Sequence, residues 1–369
     1  RRVQLRLEKR PEPSRFLIYA TPVRAVVLPM IVGAIIFSII GYNGMAAVYE
    51  MFIAPLALSY KWSAIAVKAS PLILIGVGLA VGNRAAIWNI GAEGQYIAGA
   101  LAGTGIGLVT QDMTGVWILP SMILAGLVGG AVWGAIPAWL KTQFNVNETL
   151  SSLMLTYVAI HLMNEMVTGP WKDRTGYSYP QTPIVKPDQM LPIIIPHTSI
   201  HLGVLITLII ALVMWFVMSR SLFGFQVRVV GSAPSAARHA GFSYKTTVWL
   251  VFILSGALAG LAGIFEVTGP FRQMALGFPQ NYGFTAIIVA FLGRLNPLGV
   301  IIAGIVMAIT YVGGDLAQSA LQMPNASKGI FQAMVLFFLL ASDILVRYRV
   351  RFIRRAPVVA PSVVRSPAE

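Results

Sequence analysis

The sequence predicts an all-α integral membrane protein of about ten transmembrane helices, and three observations carry that prediction. Hydrophobic residues make up 57 % of the chain against 11 % charged, a balance far from that of a water-soluble domain. The apolar residues run in stretches of about 20, the length a helix needs to cross roughly 30 Å of hydrocarbon. The basic residues behind the formal net charge of +14 crowd at the two ends, "RRVQLRLEKR" at 1–10 and "RYRVRFIRRA" at 347–356. Clusters that flank membrane spans answer to topology and anionic lipid, so no nucleic-acid partner is expected.

With Gly, Pro and charge as punctuation, the spans fall at 23–42, 62–82, 93–111, 116–140, 149–167, 201–218, 247–267, 283–293, 297–314 and 328–346. An even count puts both ends on one side, and the positive-inside rule makes that side cytoplasmic. The body 23–346 therefore lies between two cytoplasmic basic tails, 1–22 and 347–369. The first span runs too long for the apolar core of a secretory signal and lacks a cleavage site, so it is expected to stay in the protein. Segment 44–58 reads as a helix lying externally on the membrane, and 283–293 is too short to cross as a full helix. The loop 168–200 is external and stiffened by prolines; its Lys172, Arg174 and Lys186 are offset by Asp173 and Asp188. The loop 219–246 is cytoplasmic, and there Arg220, Arg228, Arg238 and Lys245 face no acidic residue.

A faint repeat crosses the chain. "NIG" at 89–91 is followed by Pro120 and "LAGLV" at 124–128, while "NYG" at 281–283 is followed by Pro297 and "IAGIV" at 302–306. In this topology the two Pro-to-AG helices run in opposite directions, the signature of an inverted repeat. "LAGLAG" at 258–263 imitates the first copy equally well, so chance matching among Gly/Ala-rich spans competes with that reading.

"AIWNIGAEGQYIAGA" at 86–100 places Asn89, Glu93 and Gln95 inside an apolar region. An ionised side chain is costly within a membrane and marks a cavity or a partner. The glycines around Glu93 suggest a helix that breaks or starts within the membrane. Glu93 then stands near a helix N-terminus, where the macrodipole favours a carboxylate; capping of the break and contact with a solute are both open to it. Glu165 and Glu266 also fall in spans, but at ends expected near the external surface, where solvation is easy. In "FNVNETLSSLMLTYVA" at 144–159, Asn147 is placed to cap a helix whose first turn holds Glu148. The row Ser151, Ser152 and Thr156 serves helix packing more often than a pore. In "GFQVRVVGSAPSAARHAGFS" at 224–243, glycines flank a short helix starting at Pro234, either a docking helix or an ordinary loop element on lipid.

Absences bound the chemistry. The chain holds no cysteine, which excludes disulfides and thiolate sites. It has no G-x-x-x-x-G-K-S/T phosphate loop, its four histidines show no metal spacing, and no Ser/His/Asp grouping points to catalysis. No catalytic residue, metal site or cofactor is therefore expected in this chain.

"NIGAEGQ" at 89–95, "NETLSSLMLTY" at 147–157, "GSAPSAARHAGF" at 231–242 and "AFLGRLNPLGVI" at 290–301 resemble, in this order, the permeases of bacterial ABC importers. The resemblance spans roughly 60–345 and is to the branched-chain amino acid/simple-sugar permease superfamily, with "NIGAEGQ" pointing to its nucleoside-type branch. It implies a type II-like permease of the cytoplasmic (inner) membrane. The implied partners are a second, related permease, two ATPase subunits that carry ATP and magnesium, and an external substrate-binding protein or lipoprotein. It implies a coupling role toward the ATPase for Pro234, Ala237, Arg238 and Gly241, and a place near the translocation path for Asn89, Glu93, Gln95, Asn147 and Glu148. The coupling segment departs from the family's G-x-N-P-E-A-A-R-Y-A-G-I form: Ala233 stands for Asn, Ser235 for Glu and His239 for Tyr, which alters the polar contacts with the ATPase. The expected cargo is a nucleoside or related purine. The alternatives are a simple-sugar or autoinducer-type permease and, in another class, an ion-coupled secondary transporter or channel.

Overall fold

The structure, a computed structural model, describes residues 3–9, 15–174, 179–324 and 326–354. The remaining parts of the two basic tails, and 175–178 of the external loop, lie outside the described residues.

The body is helical. In chain order come β1 (Val3–Lys9), α1 (Arg15–Ile40), α2 (Gly44–Ala57), α3 (Trp62–Arg84), α4 (Ala92–Val109), α5 (Ile118–Phe144), α6 (Glu148–Thr168) and α7 (Leu202–Arg220). They are followed by α8 (Leu222–Ser232), α9 (Pro234–His239), α10 (Tyr244–Glu266), α11 (Tyr282–Leu292), α12 (Pro297–Leu321), α13 (Ala326–Arg347) and β2 (Tyr348–Arg354). Side-chain caps set several boundaries. Asn147 Oδ1 accepts from the N–H groups of Thr149 and Leu150, Ser243 Oγ from Thr246 N and Asn296 Oδ1 from Leu298 N, with Pro297 at the first helical position.

Each expected span coincides with a helix. Among the described residues, seven helices are long and apolar enough to cross a membrane: α1, α3, α5, α6, α7, α10 and α12. α2, α11 and the apolar part of α13 are shorter, and Glu93 and Gln95 make α4 more polar. α1 begins at Arg15, ahead of the expected start. Within the basic tails, β1 and β2 pair antiparallel, with Val3 opposite Arg354 and Lys9 opposite Tyr348.

Burial sorts the helices. In α3 and α10, 83 % and 72 % of the apolar window is buried, against 22 % in α1 and 28 % in each of α5, α6 and α7. α3 and α10 are thus the centre of the bundle, and the outer helices turn Ile31, Ile35, Val128, Val132 and Leu212 outward, as lipid-facing surfaces do. Lipid is as apolar as these side chains, so close packing rather than the hydrophobic effect must hold the spans together. It does so most visibly where α5 meets α10. A Cβ on Gly130 would lie 2.2 Å from the Gly256 carbonyl oxygen, and one on Gly260 would lie 2.3 Å from that of Gly126. The four-residue spacing of these glycines puts two bare backbones in contact.

One expectation is corrected. Glu165 is exposed, as a helix-end residue should be, but Glu266 is only 2 % exposed. The helix does not end at the surface there: it continues through a π turn, Val267–Phe271, whose Val267 and Thr268 are buried as well.

Candidate functional site

α3 ends at Arg84, and the chain turns back through Ala86, which has φ 56°. Residues 88–90 run without helical structure until α4 starts at Ala92 inside the bundle. The polar residues of this break form a closed set. Asn89 Oδ1 accepts from Gly91 N at 3.0 Å, and Asn89 Nδ2 donates to Gln95 Oε1 at 2.9 Å and to Ser255 Oγ of α10 at 3.0 Å. Ile90 N donates to Ser152 Oγ at 3.3 Å, and Gly91 lies against the Ser152 backbone. Asn89, Gly91 and Gln95 are buried in this break, where water does not satisfy polar groups; these side chains take that place.

Glu93 is fully buried. Its Oε1 accepts from Asn281 N at 3.0 Å and its Oε2 from Gly283 N at 2.5 Å. The carboxylate stands in the first turn of α4 and binds the exposed N–H groups at the start of α11. Asn281, at φ 59°, makes no side-chain cap of its own, so Glu93 supplies the missing cap from another helix. Gly283 is required by the same junction, because a Cβ there would stand 2.2 Å from Glu93 N. Two helix N-termini carry about half a positive charge each, so together they match about one carboxylate. Glu93 thus joins two broken helices end to end.

The other sequence-predicted residues fall into two groups. Asn147 caps α6, and Glu148 pairs with Lys141 across 3.0 Å. Both lie on the helix that supplies Ser152, about 6 Å along its axis from that contact, and neither touches Glu93. Thr156, one turn beyond Ser152, packs against Gly94, the packing use expected of that row. In the loop 219–246, α9 is exposed except at Ala237, which is 3 % exposed. Gly241, at φ 82°, closes it: Gly241 N donates to Arg238 O and Phe242 N to Ala237 O at 2.9 Å. The rings of Phe225 and Phe242, 6.0 Å apart, fasten the segment to α8. Beside α9 lies a cavity of about 430 Å³ whose walls include Pro234, Ala237, Arg238 and Phe242.

A second polar cluster escaped the sequence reading. Lys68, in α3, donates to Tyr282 Oη at 2.8 Å and lies 5.5 Å from the ring centres of both Phe271 and Tyr282. Tyr282 packs on Tyr311 at 5.2 Å, and the Tyr311 hydroxyl meets Thr285 Oγ1 at 2.9 Å and the Gln280 carbonyl at 3.0 Å. One oxygen of Glu266 has no partner. A lone Lys in the apolar run 62–82 is the only signal the sequence offers for this cluster. Among the described residues no group of three or more His, Cys, Asp or Glu stands ready to hold a metal ion.

Residues 61–340 match the family model described as the permease component of branched-chain amino acid transport systems. The chain is 37 % identical over 358 residues to the glucose ABC transporter permease protein TsgB13 of Haloferax volcanii, covering 94 % of each chain. It is 29 % identical to the guanosine ABC transporter permease protein NupP of Bacillus subtilis, over 90 % of this chain and 94 % of that one. It is 25 % identical to the nucleoside ABC transporter permease protein NupB of Lactococcus lactis, over 86 % and 89 %. In each of these organisms a second permease protein also matches, at 24 % to 26 % identity. No solved structure matches the chain. Multiple apolar helices, the polar break in the bundle and a match over most of the length agree: the chain is a multi-pass membrane protein and belongs to the family of branched-chain amino acid transport system permease components, the permeases of ABC transporters.

Proposed function

We propose that the chain is one of two transmembrane subunits of an ATP-driven importer for nucleosides or related purines, working in the cytoplasmic membrane. The observation that carries the ATP-driven part is α9: a short exposed helix, closed by glycine, anchored by one alanine and set beside a cavity. That surface suits insertion into a cytoplasmic ATPase, with Pro234, Ala237, Arg238 and Gly241 as the coupling residues. The chain has no phosphate loop of its own, so ATP and magnesium belong to partner subunits. A paired second permease is supported by the second matching permease in each of three organisms. An external binding protein would deliver the solute.

Ten crossings with cytoplasmic ends are supported by the pairing of β1 with β2, which brings the two ends of the body together as an even count requires. An inverted repeat is supported by reciprocal packing: α3 packs on α12 as α10 packs on α5, and α3 on α11 as α10 on α4. The self-paired contacts of such a symmetry, α3 with α10 and α4 with α11, are also made. On this reading Asn89, Glu93 and Gln95 hold the broken helices beside the path, while Asn147 and Glu148 set the entry of α6.

The nucleoside cargo follows the names of two relatives. A simple-sugar cargo is the second reading, favoured by the 37 % identity to a glucose permease protein. Glu93 lends the ion-coupled alternative no support, because both its oxygens are committed to backbone N–H groups.

Purification of the tagged chain from its native host tests the assembly. An ATPase and a second permease should accompany it, and guanosine with the binding protein should stimulate hydrolysis. Purification of the chain alone, with no ATPase bound, contradicts the reading.

A further inference from the structure

α6 turns outward a face that lipid does not explain. It packs on α4 and α5 and buries Ser152, Thr156, Ala159, Met163 and Val167. At 3.6 residues per turn, Tyr157, His161, Asn164 and Glu165 fall within about 100° of one another on the side away from that packing. Tyr157 is 52 % exposed, His161 and Glu165 are exposed and Asn164 is half-buried. Among the described residues none of these four side chains has a hydrogen-bond or ion-pair partner. We infer that this face lines the outer half of the solute passage, where Tyr157, His161 and Asn164 exchange hydrogen bonds with an uncharged hydrophilic solute. The inference rests on the importer reading and adds to it the wall along which the solute moves.

Depth separates this face from an ordinary membrane-surface rim. α6 is 21 residues long, about 31 Å at 1.5 Å per residue, which matches the roughly 30 Å of hydrocarbon. A helix of that length uses all of it to cross. Glu165 then stands within a turn of the outer end, but His161 lies about 10 Å and Tyr157 about 16 Å below it. A His side chain is too short to reach the surface from there.

α5 and α7 show what a lipid-facing surface looks like in this protein. Their apolar windows are buried to the same 28 % as that of α6, yet their exposed residues away from the helix ends include Leu124, Val128 and Val132 on α5 and Leu208, Leu212 and Phe216 on α7. α6 is the least apolar of the seven candidate spans. A polar group without a partner costs several kcal/mol in hydrocarbon, and polar or ionisable residues within spans almost always face a bundle interior or a water-filled cavity. Since this chain places no further helix over the face, the opposite wall of the passage belongs to the second permease.

The lining also selects its solute. Tyr, His and Asn side chains offer donors and acceptors that can replace the hydration of hydroxyl and amide groups. α6 contains no Lys or Arg, so an anion would meet no fixed cation there. Toward the cytoplasm the same face continues in Met154 and Leu150, both exposed and apolar, which confines the polar lining to the outer half.

The test uses the assembled importer in right-side-out membrane vesicles. Because the chain has no cysteine, Tyr157→Cys and His161→Cys can each be probed with a membrane-impermeant sulfonated methanethiosulfonate added outside, its attachment to this chain being read by mass spectrometry. Val128→Cys and Leu212→Cys are the lipid-facing controls. The thiolate is the reactive form and needs water, so both α6 positions should react about tenfold or more faster than the controls. The transported compound, guanosine or glucose, should slow that reaction, and modification should block its ATP-driven uptake. His161→Leu gives a second readout, which decides if the cysteine variants fail to assemble. A site facing lipid would tolerate Leu, whereas here uptake should fall while the chain still reaches the membrane and still binds its ATPase. Reaction no faster than the controls shows a lipid face, and reaction only in the chain freed from its second permease shows a dry contact between subunits. Either result, modification that leaves uptake unchanged, or wild-type uptake by His161→Leu overturns the passage wall and leaves the importer reading standing. Absence of ATP-driven uptake of either compound by the wild type overturns the importer reading and this inference with it.

Discussion

Replacing Glu93 with Gln exchanges one oxygen for an amino group inside a fully buried junction. Gln keeps a single acceptor, so one of the two N–H groups, that of Asn281 or that of Gly283, would face a donor. An unsatisfied buried N–H costs about 1 to 3 kcal/mol, and a hydrogen bond to a charged group is itself worth about 1.5 to 3 kcal/mol. Removing the negative charge from between two helix N-termini adds about 0.3 to 2 kcal/mol at each. These effects overlap, and a total near 2 to 5 kcal/mol is expected. Glu93→Asp keeps the charge but not the reach, so it should lose one bond and fall between Gln and wild type. Detergent unfolding followed by tryptophan fluorescence reads the stability, and uptake in liposomes reads the function. The defect is one of geometry, so residual uptake in Glu93→Gln should keep the wild-type pH profile. Stability within about 0.5 kcal/mol of wild type, together with undiminished uptake, would refute the assignment of Glu93 as the joint between α4 and α11.

Gly130→Leu should prevent α5 from seating on α10, because its first side-chain carbon already collides with the Gly256 carbonyl; overpacking of about 1 to 3 kcal/mol or more should appear as poor accumulation and early unfolding on a detergent titration. Arg238→Glu, on the exposed face of α9, should leave insertion and folding intact while co-purification of the ATPase and transport are lost. Single cysteines placed by Lys172→Cys and Arg238→Cys should react with an impermeant maleimide from opposite sides of sealed vesicles, and reaction from one side overturns the proposed topology.

The helices were legible because their signals are local. Apolar runs of the right length marked the spans, and Asn147 marked a start that the structure shows as a side-chain cap; the caps Ser243 and Asn296 came from the structure alone. The broken helix at 89–95 was legible too, since polar residues beside glycines have few other uses in an apolar span. Its mate was not. Glu93 is held by backbone N–H groups 188 and 190 residues away in the sequence, and a backbone donor carries no side-chain signature. Glu266 was misread because an apolar run ends there, whereas its burial, and that of Val267 and Thr268 in the π turn that follows, depends on tertiary packing. Lys68 passed unnoticed because a span tolerates one basic residue; only the fold shows that it reaches Tyr282. The β1–β2 pairing was foreshadowed by the alternation of "VQLRLEK" and "YRVRFIR", a period of two that signals a strand, which the density of positive charge obscured.

The most direct test of the account is uptake of radiolabelled guanosine by liposomes containing this chain, its companion permease and its ATPase, with the binding protein outside. The account predicts uptake that requires ATP, requires every partner and ignores ion gradients. Uptake by this chain alone, driven by a proton or sodium gradient without ATP, would contradict it.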